Sequence, residues 1–200
     1  YILNIGKKFK LTTKYFFLIG WFFGFGYFLS GLYWISISLT HEETFKYLIP
    51  FTIILVPAFL AIFYGIATMI LKKFISQKIS FILFFSLIFA VLEFIRGNIL
   101  SGFPWNLFAY GWLWSLEIVQ VISIIGTYSL NLISITVFSL PFILFVKTQK
   151  NKKYWFTSCL IIIFAMNYFY GMKVLSQSKV PSAAKHDFII KIISPNIDLK

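Results

Sequence analysis

Residues 48–71 read LIPFTIILVPAFLAIFYGIATMIL, a run with no charged side chain that ends directly on Lys72 and Lys73. As an α-helix rising about 1.5 Å per residue it extends about 36 Å, enough to cross the roughly 30 Å hydrocarbon core of a bilayer. Pro50 falls at the start of this helix, where its missing N–H does no harm, and Pro57 falls inside it, where a kink is expected. Outward from this run, apolar segments of the same kind occupy roughly 15–39, 79–96, 118–146 and 154–172. The run at 118–146 is longer than a crossing needs, so it must tilt or leave part of itself in the interface. Pro141 is expected to kink it. The predicted fold class is an all-α polytopic membrane protein with about five transmembrane helices.

Composition agrees. Hydrophobic residues make up 60% of the chain and charged residues 12%, so water would not keep it monomeric. No run resembles a cleavable signal peptide, since each is too long or too internal. The formal charge of +12 invites a nucleic-acid reading, but its distribution excludes one. Lys7, Lys8, Lys10 and Lys14 precede the first span, Lys72, Lys73 and Lys78 separate the second from the third, and Lys147, Lys150, Lys152 and Lys153 separate the fourth from the fifth. None of these segments carries an acid. The alternate connections carry Glu42, Glu43, Glu93 and Glu117 against Lys46 and Arg96. This is the positive-inside pattern, and it predicts a cytoplasmic N-terminal flank and an external C-terminal tail.

Residues 1–172 are predicted to form the helical membrane domain. Residues 173–187 are polar and read as a linker. In 188–200, Phe188, Ile189, Ile190, Ile192 and Ile193 cluster as a strand would, and Ser194-Pro195-Asn196 reads as a turn. A lone strand is unstable, so the chain is expected to be cut there or to continue into a domain.

Gly20 and Gly24 stand one helical turn apart in the first span, a spacing that lets helix backbones approach closely. The stretch of greatest chemical interest is EFIRGNILSGFPWNLFAYGWLWSLEIVQ, residues 93–120. Arg96 is the only arginine in the chain, and on a helix it shares a face with Glu93. The pair is read either as a helix-end ion pair that anchors the third span, or as a lipid-headgroup contact in which the guanidinium fork meets a phosphate. Gly97, Gly102 and Pro104 break the helix, and Trp105, Trp112 and Trp114 crowd the break. An interfacial aromatic belt accounts for the tryptophans, while the break requires shelter by protein or a water-filled cavity.

Other motifs fail. His41-Glu42-Glu43-Thr44-Phe45 lacks the second histidine of a zinc-protease helix, and His41 and His186 have no metal-ligand cluster around them. The single cysteine, Cys159, lies against Leu160-Ile161-Ile162-Ile163 in mid-span, where a thiolate would be poorly solvated, so it reads as structural.

Glu93-x-x-Arg96-Gly97, then Ser101-Gly102-Phe103-Pro104-Trp105 and Tyr110, resembles the E-x-x-R-G…T-G-F-P-W…Y signature of bacterial apolipoprotein N-acyltransferases. Gln120, Gly126 and Tyr128 fit the same pattern, as does the aromatic-glycine stretch from Gly24 to Trp34. The tail from Ile190 to Ile197 is similar to the first strand of that family's nitrilase-like α/β domain. Departures are Ser101 for Thr, Ser129 for a second Gly, and Ser194-Pro195 for Gln and a small residue. The resemblance implies a bacterial inner-membrane enzyme with a periplasmic tail. It implies transfer of an acyl chain from a phospholipid to an enzyme thioester, and then to the amine of a diacylglyceryl-cysteine on an apolipoprotein. It implies no cofactor and no metal. The family's Glu-Lys-Cys catalytic set lies in the external domain, so no catalytic residue is expected in this chain. Glu93, Arg96, Gly102, Phe103, Pro104, Trp105 and Tyr110 are expected to shape the lipid entrance beneath it. The helix count also allows a transporter or channel component, or a scaffold without a ligand. No inverted repeat is visible, the ionisable pair lies near one end of its span rather than at the midplane, and the G-F-P-W break disfavours a bare scaffold.

Overall fold

The computed structural model describes residues 2–99, 102 and 104–177. The strand expected at 188–200 lies outside them, as does the linker beyond residue 177. Residues 173–177, read above as linker, are the last turn of a helix.

A short helix α1 (Ile2–Lys8) leads into α2 (Thr13–Leu32), which tightens into 3-10 turns at Tyr33–His41 and Glu43–Leu48. Helices α3 (Ile49–Leu71) and α4 (Ser80–Asn98) follow. A non-helical connection with a 3-10 turn at Phe108–Trp112 leads to two single turns, α5 (Leu116–Val119) and α6 (Ile122–Ile125). Then come α7 (Thr127–Phe138), a 3-10 turn at Leu140–Phe145, and α8 (Lys150–Gln177). Among the described residues, 4 helices are long and apolar enough to cross a membrane: Thr13–His41, Glu43–Leu71, Ser80–Asn98 and Lys150–Gln177. Helix α3 runs on as one α-helix past Pro57.

The expected long span at 118–146 is corrected. It is broken at Gly126, whose φ of 77° no helix can continue, and again at the 3-10 turn that begins beside Pro141. The chain nevertheless passes the length of α4 here. At one end Tyr128 packs on Phe94, ring centroids 5.1 Å apart, and at the other Phe142 meets Phe81 at 5.5 Å. The backbone N–H of Lys147 then donates to the carbonyl of Gln77, 2.7 Å away. Helix α7 alone is about 18 Å long, so the passage needs the more extended 3-10 turn to complete it.

Small residues set the closest packing. A Cβ on Gly24 would lie 2.8 Å from the Tyr64 Cβ, and one on Gly20 would collide with the Tyr64 carbonyl and Thr68. These are the contacts that the glycine spacing predicts between α2 and a neighbour, here α3. The Thr68 hydroxyl donates across the seam to the Phe16 carbonyl at 2.7 Å. Phe16, Phe28, Leu60, Tyr64, Leu71, Phe81, Phe89 and Ile135 form the core where α2, α3, α4 and α7 meet. Outward-facing positions are as greasy as the core: Phe22, Phe51, Leu55, Phe59, Leu83, Leu87, Ile161 and Ile162 are all exposed. In water this would cost about 25 cal/mol per Å², and in lipid it costs nothing.

Helix α8 stands almost clear of the bundle. It touches α5, where the Asn167 side-chain amide donates to the Ile118 carbonyl at 3.1 Å and Gly171 leaves room for the Glu117 backbone. Phe164 meets Trp112, 4.6 Å between centroids.

Candidate functional site

The end of the bundle away from the three basic segments is organised around the last two turns of α4. Glu93 and Arg96 lie on one helical face, as their spacing requires, and the face points inward. Both are buried, at 1% and 2% exposure. The helix-end ion pair expected from the spacing is present, but it faces the interior of the bundle rather than its outer surface. An Arg96 Nη2–Glu93 Oε2 ion pair joins the two side chains. The other carboxylate oxygen accepts the Tyr64 hydroxyl at 2.6 Å, which ties α4 to α3. The guanidinium also lies over the Phe28 ring, 5.0 Å from its centroid, which adds α2. Three helices thus surround one charge pair, the arrangement by which an ionisable group becomes tolerable at membrane depth.

Arg96 then reaches the loop. Its Nη1 donates to the Trp105 carbonyl at 3.1 Å. Next to it, Asn106 holds the left-handed conformation (φ 58°) that asparagine tolerates better than most residues. Its carbonyl accepts the Tyr27 hydroxyl at 2.8 Å, and its amide donates to the Tyr27 carbonyl at 3.4 Å. Gly31 makes room for that amide, which a Cβ would strike. Gly102, at φ 68°, turns the chain back so that its N–H donates to the Ile99 carbonyl at 3.0 Å. Gly97 lies so close to the Tyr128 hydroxyl that a side chain would displace it.

Farther along, α7 fastens the loop from below. Asn131 accepts the Ala109 N–H at 3.1 Å, and Ser134 accepts the Trp112 indole N–H at 2.9 Å. What this framework presents outward is aromatic. Trp105 is 41% exposed and stacks on Trp34, centroids 5.1 Å apart. The half-exposed Tyr110 donates its hydroxyl to the Pro104 carbonyl at 3.3 Å, and partial burial pushes its phenol pKa up.

The structure therefore brings Glu93, Arg96, Gly102, Pro104, Trp105 and Tyr110 to one end of the bundle, while Phe103 lies outside the described residues. The sequence reading missed Tyr64, Tyr27, Phe28, Asn106 and Asn131. Tyr64 was legible in one respect: it is a polar side chain in the middle of an otherwise apolar span and needs a partner.

The chain matches the family model described as the apolipoprotein N-acyltransferase N-terminal domain over residues 2–140. It is 31% identical over 183 residues to the apolipoprotein N-acyltransferase of Rhodopseudomonas palustris, covering 90% of this chain and 34% of that protein. The protein of the same name from Rhizobium etli is 33% identical over 185 residues, 91% of this chain and 34% of its own length. That of Brucella melitensis is 39% identical over 127 residues, 63% of this chain and 24% of its own. The chain thus spans about a third of the length of the curated relatives it matches. No solved structure matches it. With Glu93, Arg96, Gly97, Gly102, Pro104 and Trp105 set at the head of an apolar bundle, and a domain match over most of the chain, the chain belongs to the apolipoprotein N-acyltransferase family, whose N-terminal domain it contains.

Proposed function

We propose that this chain is the membrane part of an enzyme that acylates the N-terminus of lipoproteins. A phospholipid ester and a thiol exchange in the first step: the acyl carbon–oxygen bond breaks, a thioester forms, and the lysophospholipid leaves with the thiol proton. In the second step the α-amine of a diacylglyceryl-cysteine attacks the thioester. An amide forms, the amine loses a proton, and the thiol is regenerated. Cys159 is unsuited to be that thiol, because it sits among aliphatic residues along α8. The catalytic Glu-Lys-Cys set belongs to a domain beyond this chain.

Both reactants are lipids, so the membrane part has physical work to do: it must hold acyl chains laterally and present ester and amine to a site above. One observation carries the assignment of this role. The exposed Trp34–Trp105 stack and Tyr110 lie at the end opposite the three basic segments, on a loop fixed by a guanidinium that is itself buried. Trp105 and Tyr110 border the lipid entrance, and Glu93 and Arg96 position them. Gly102 and Pro104 set the course of the loop. By the positive-inside rule the basic end faces the cytoplasm and the loop faces the periplasm of a bacterial inner membrane.

The test is turnover of a fluorescent phospholipid donor and a diacylglyceryl peptide acceptor by the full-length protein. Arg96→Ala and Trp105→Ala should each lower turnover while membrane insertion stays normal. Unchanged turnover in both would remove the entrance role. Cysteine labelling at position 150 from the periplasmic side would reverse the orientation.

A further inference from the structure

At the opposite end, the three basic segments that sequence alone can only count are folded onto one cavity. It has a volume of about 700 Å³. Lys7 and Lys8 line it from α1, Gln77 from the α3–α4 connection, and Lys147 from the chain that follows the last 3-10 turn. Its apolar wall includes Ile5 and Phe145.

The segments are tied together rather than merely adjacent. The Lys147 N–H donates to the Gln77 carbonyl at 2.7 Å, and the Lys7 ammonium donates to the Ile75 carbonyl. Lys72, by contrast, is engaged elsewhere, with the Thr13 hydroxyl and the Phe16 ring. Among the described residues, no carboxylate lines the cavity.

We propose that this cavity binds the phosphate headgroup of an anionic glycerophospholipid, with the glycerol and upper acyl carbons on its apolar wall. The chemistry selects this class. Three lysines from two distant parts of the chain line one volume, and a phosphate diester offers acceptors to ammonium groups at its rim. A zwitterionic headgroup would bring an ammonium of its own into a site without a carboxylate, and so be disfavoured. The apolar wall serves a tethered lipid and gives a free phosphate nothing. Basic cavities between spans at the edge of a bilayer are suited to such headgroups. The proposal rests on the membrane character of the fold and not on the acyltransferase reading.

The experiment is native mass spectrometry of the full-length protein in detergent, titrated separately with dioleoylphosphatidylglycerol, dioleoylphosphatidylethanolamine and inorganic phosphate. Phosphatidylglycerol should bind best, and inorganic phosphate should fail to displace it. The Lys8→Gln/Lys147→Gln protein should lose about tenfold in phosphatidylglycerol affinity, whereas Lys8→Arg/Lys147→Arg should retain it. Lys152→Gln/Lys153→Gln removes the same charge from outside the cavity and should leave binding unchanged. Equal loss in the two glutamine pairs would reduce the effect to diffuse charge and overturn the proposal. So would equal binding of the two lipids, or displacement by inorganic phosphate at the same concentration. The lipid and phosphate comparisons need only the unaltered protein, so they decide the matter even if a variant folds poorly.

Discussion

The Tyr64 hydroxyl on α3 and the Glu93 carboxylate on α4 are 2.6 Å apart, and both side chains are almost wholly buried. This bond links the two helices directly at that depth, while Arg96, paired with the same carboxylate, reaches on to the loop. Removing the hydroxyl exposes the weakness of any buried charge pair: one lost partner strands what remains.

Tyr64→Phe should therefore destabilise the protein by about 1.5–3 kcal/mol, the cost of a lost hydrogen bond to a buried charge. Glu93→Gln should cost more, about 3–5 kcal/mol, because it leaves the Arg96 charge without its counterion. Thermal unfolding in one detergent would rank the two. A Tyr64→Phe protein as stable as the original would show that the carboxylate finds water instead.

The α2–α3 seam should distinguish glycines by position. Gly24→Ala puts a Cβ against Tyr64 and is expected to lose about 1–3 kcal/mol through overpacking. Gly26→Ala meets nothing within 4 Å and should be neutral or slightly stabilising, since alanine favours the helix. The same melting measurement checks both, and equal effects would contradict the close approach.

The Trp34–Trp105 stack can be measured by a double-mutant cycle. Replacing each by Leu, singly and together, should reveal a coupling of about 0.5–1.5 kcal/mol in stability. A coupling near zero would mean that the two rings are independent surface groups.

Beyond the loop, the Ser115 hydroxyl donates to a Glu117 carboxylate oxygen at 2.8 Å. Glu117's own backbone N–H, followed by this hydroxyl, holds its carboxyl pKa below the usual value. A depressed carboxylate contributes stability that is present above its unfolded pKa and is lost as pH falls through the folded one. In Ser115→Ala the Glu117 carboxyl signal, followed by NMR, should titrate at higher pH than in the original protein. An unshifted titration would assign the whole effect to the backbone.

Uncharged run length and lysine placement made the helical membrane fold legible, because hydrophobic thickness and charge asymmetry act on each segment independently. The run at 118–146 was misread for the same reason. Hydropathy sees an uninterrupted apolar stretch, whereas Gly126 has a positive φ that only backbone geometry reveals. Glu93 and Arg96 were legible as a pair from their spacing, but their direction was not. Which face of α4 turns inward depends on Tyr64 and Phe28, residues far away in sequence that a linear reading cannot bring together.

The i, i+3 placement of Glu93 and Arg96 also bears on how the protein is made. A lone Arg or Asp at the centre of an inserting helix costs about 2.5–3.5 kcal/mol on the translocon scale. Here the two opposite charges belong to the same helix and can neutralise one another before any neighbour arrives. The nascent segment thus carries its own counterion into the insertion machinery. Tyr64 is synthesised earlier, on the preceding helix, and is already in place to receive the pair. Biogenesis can then proceed hairpin by hairpin, with the pair at the end of α4 meeting a partner already made on α3.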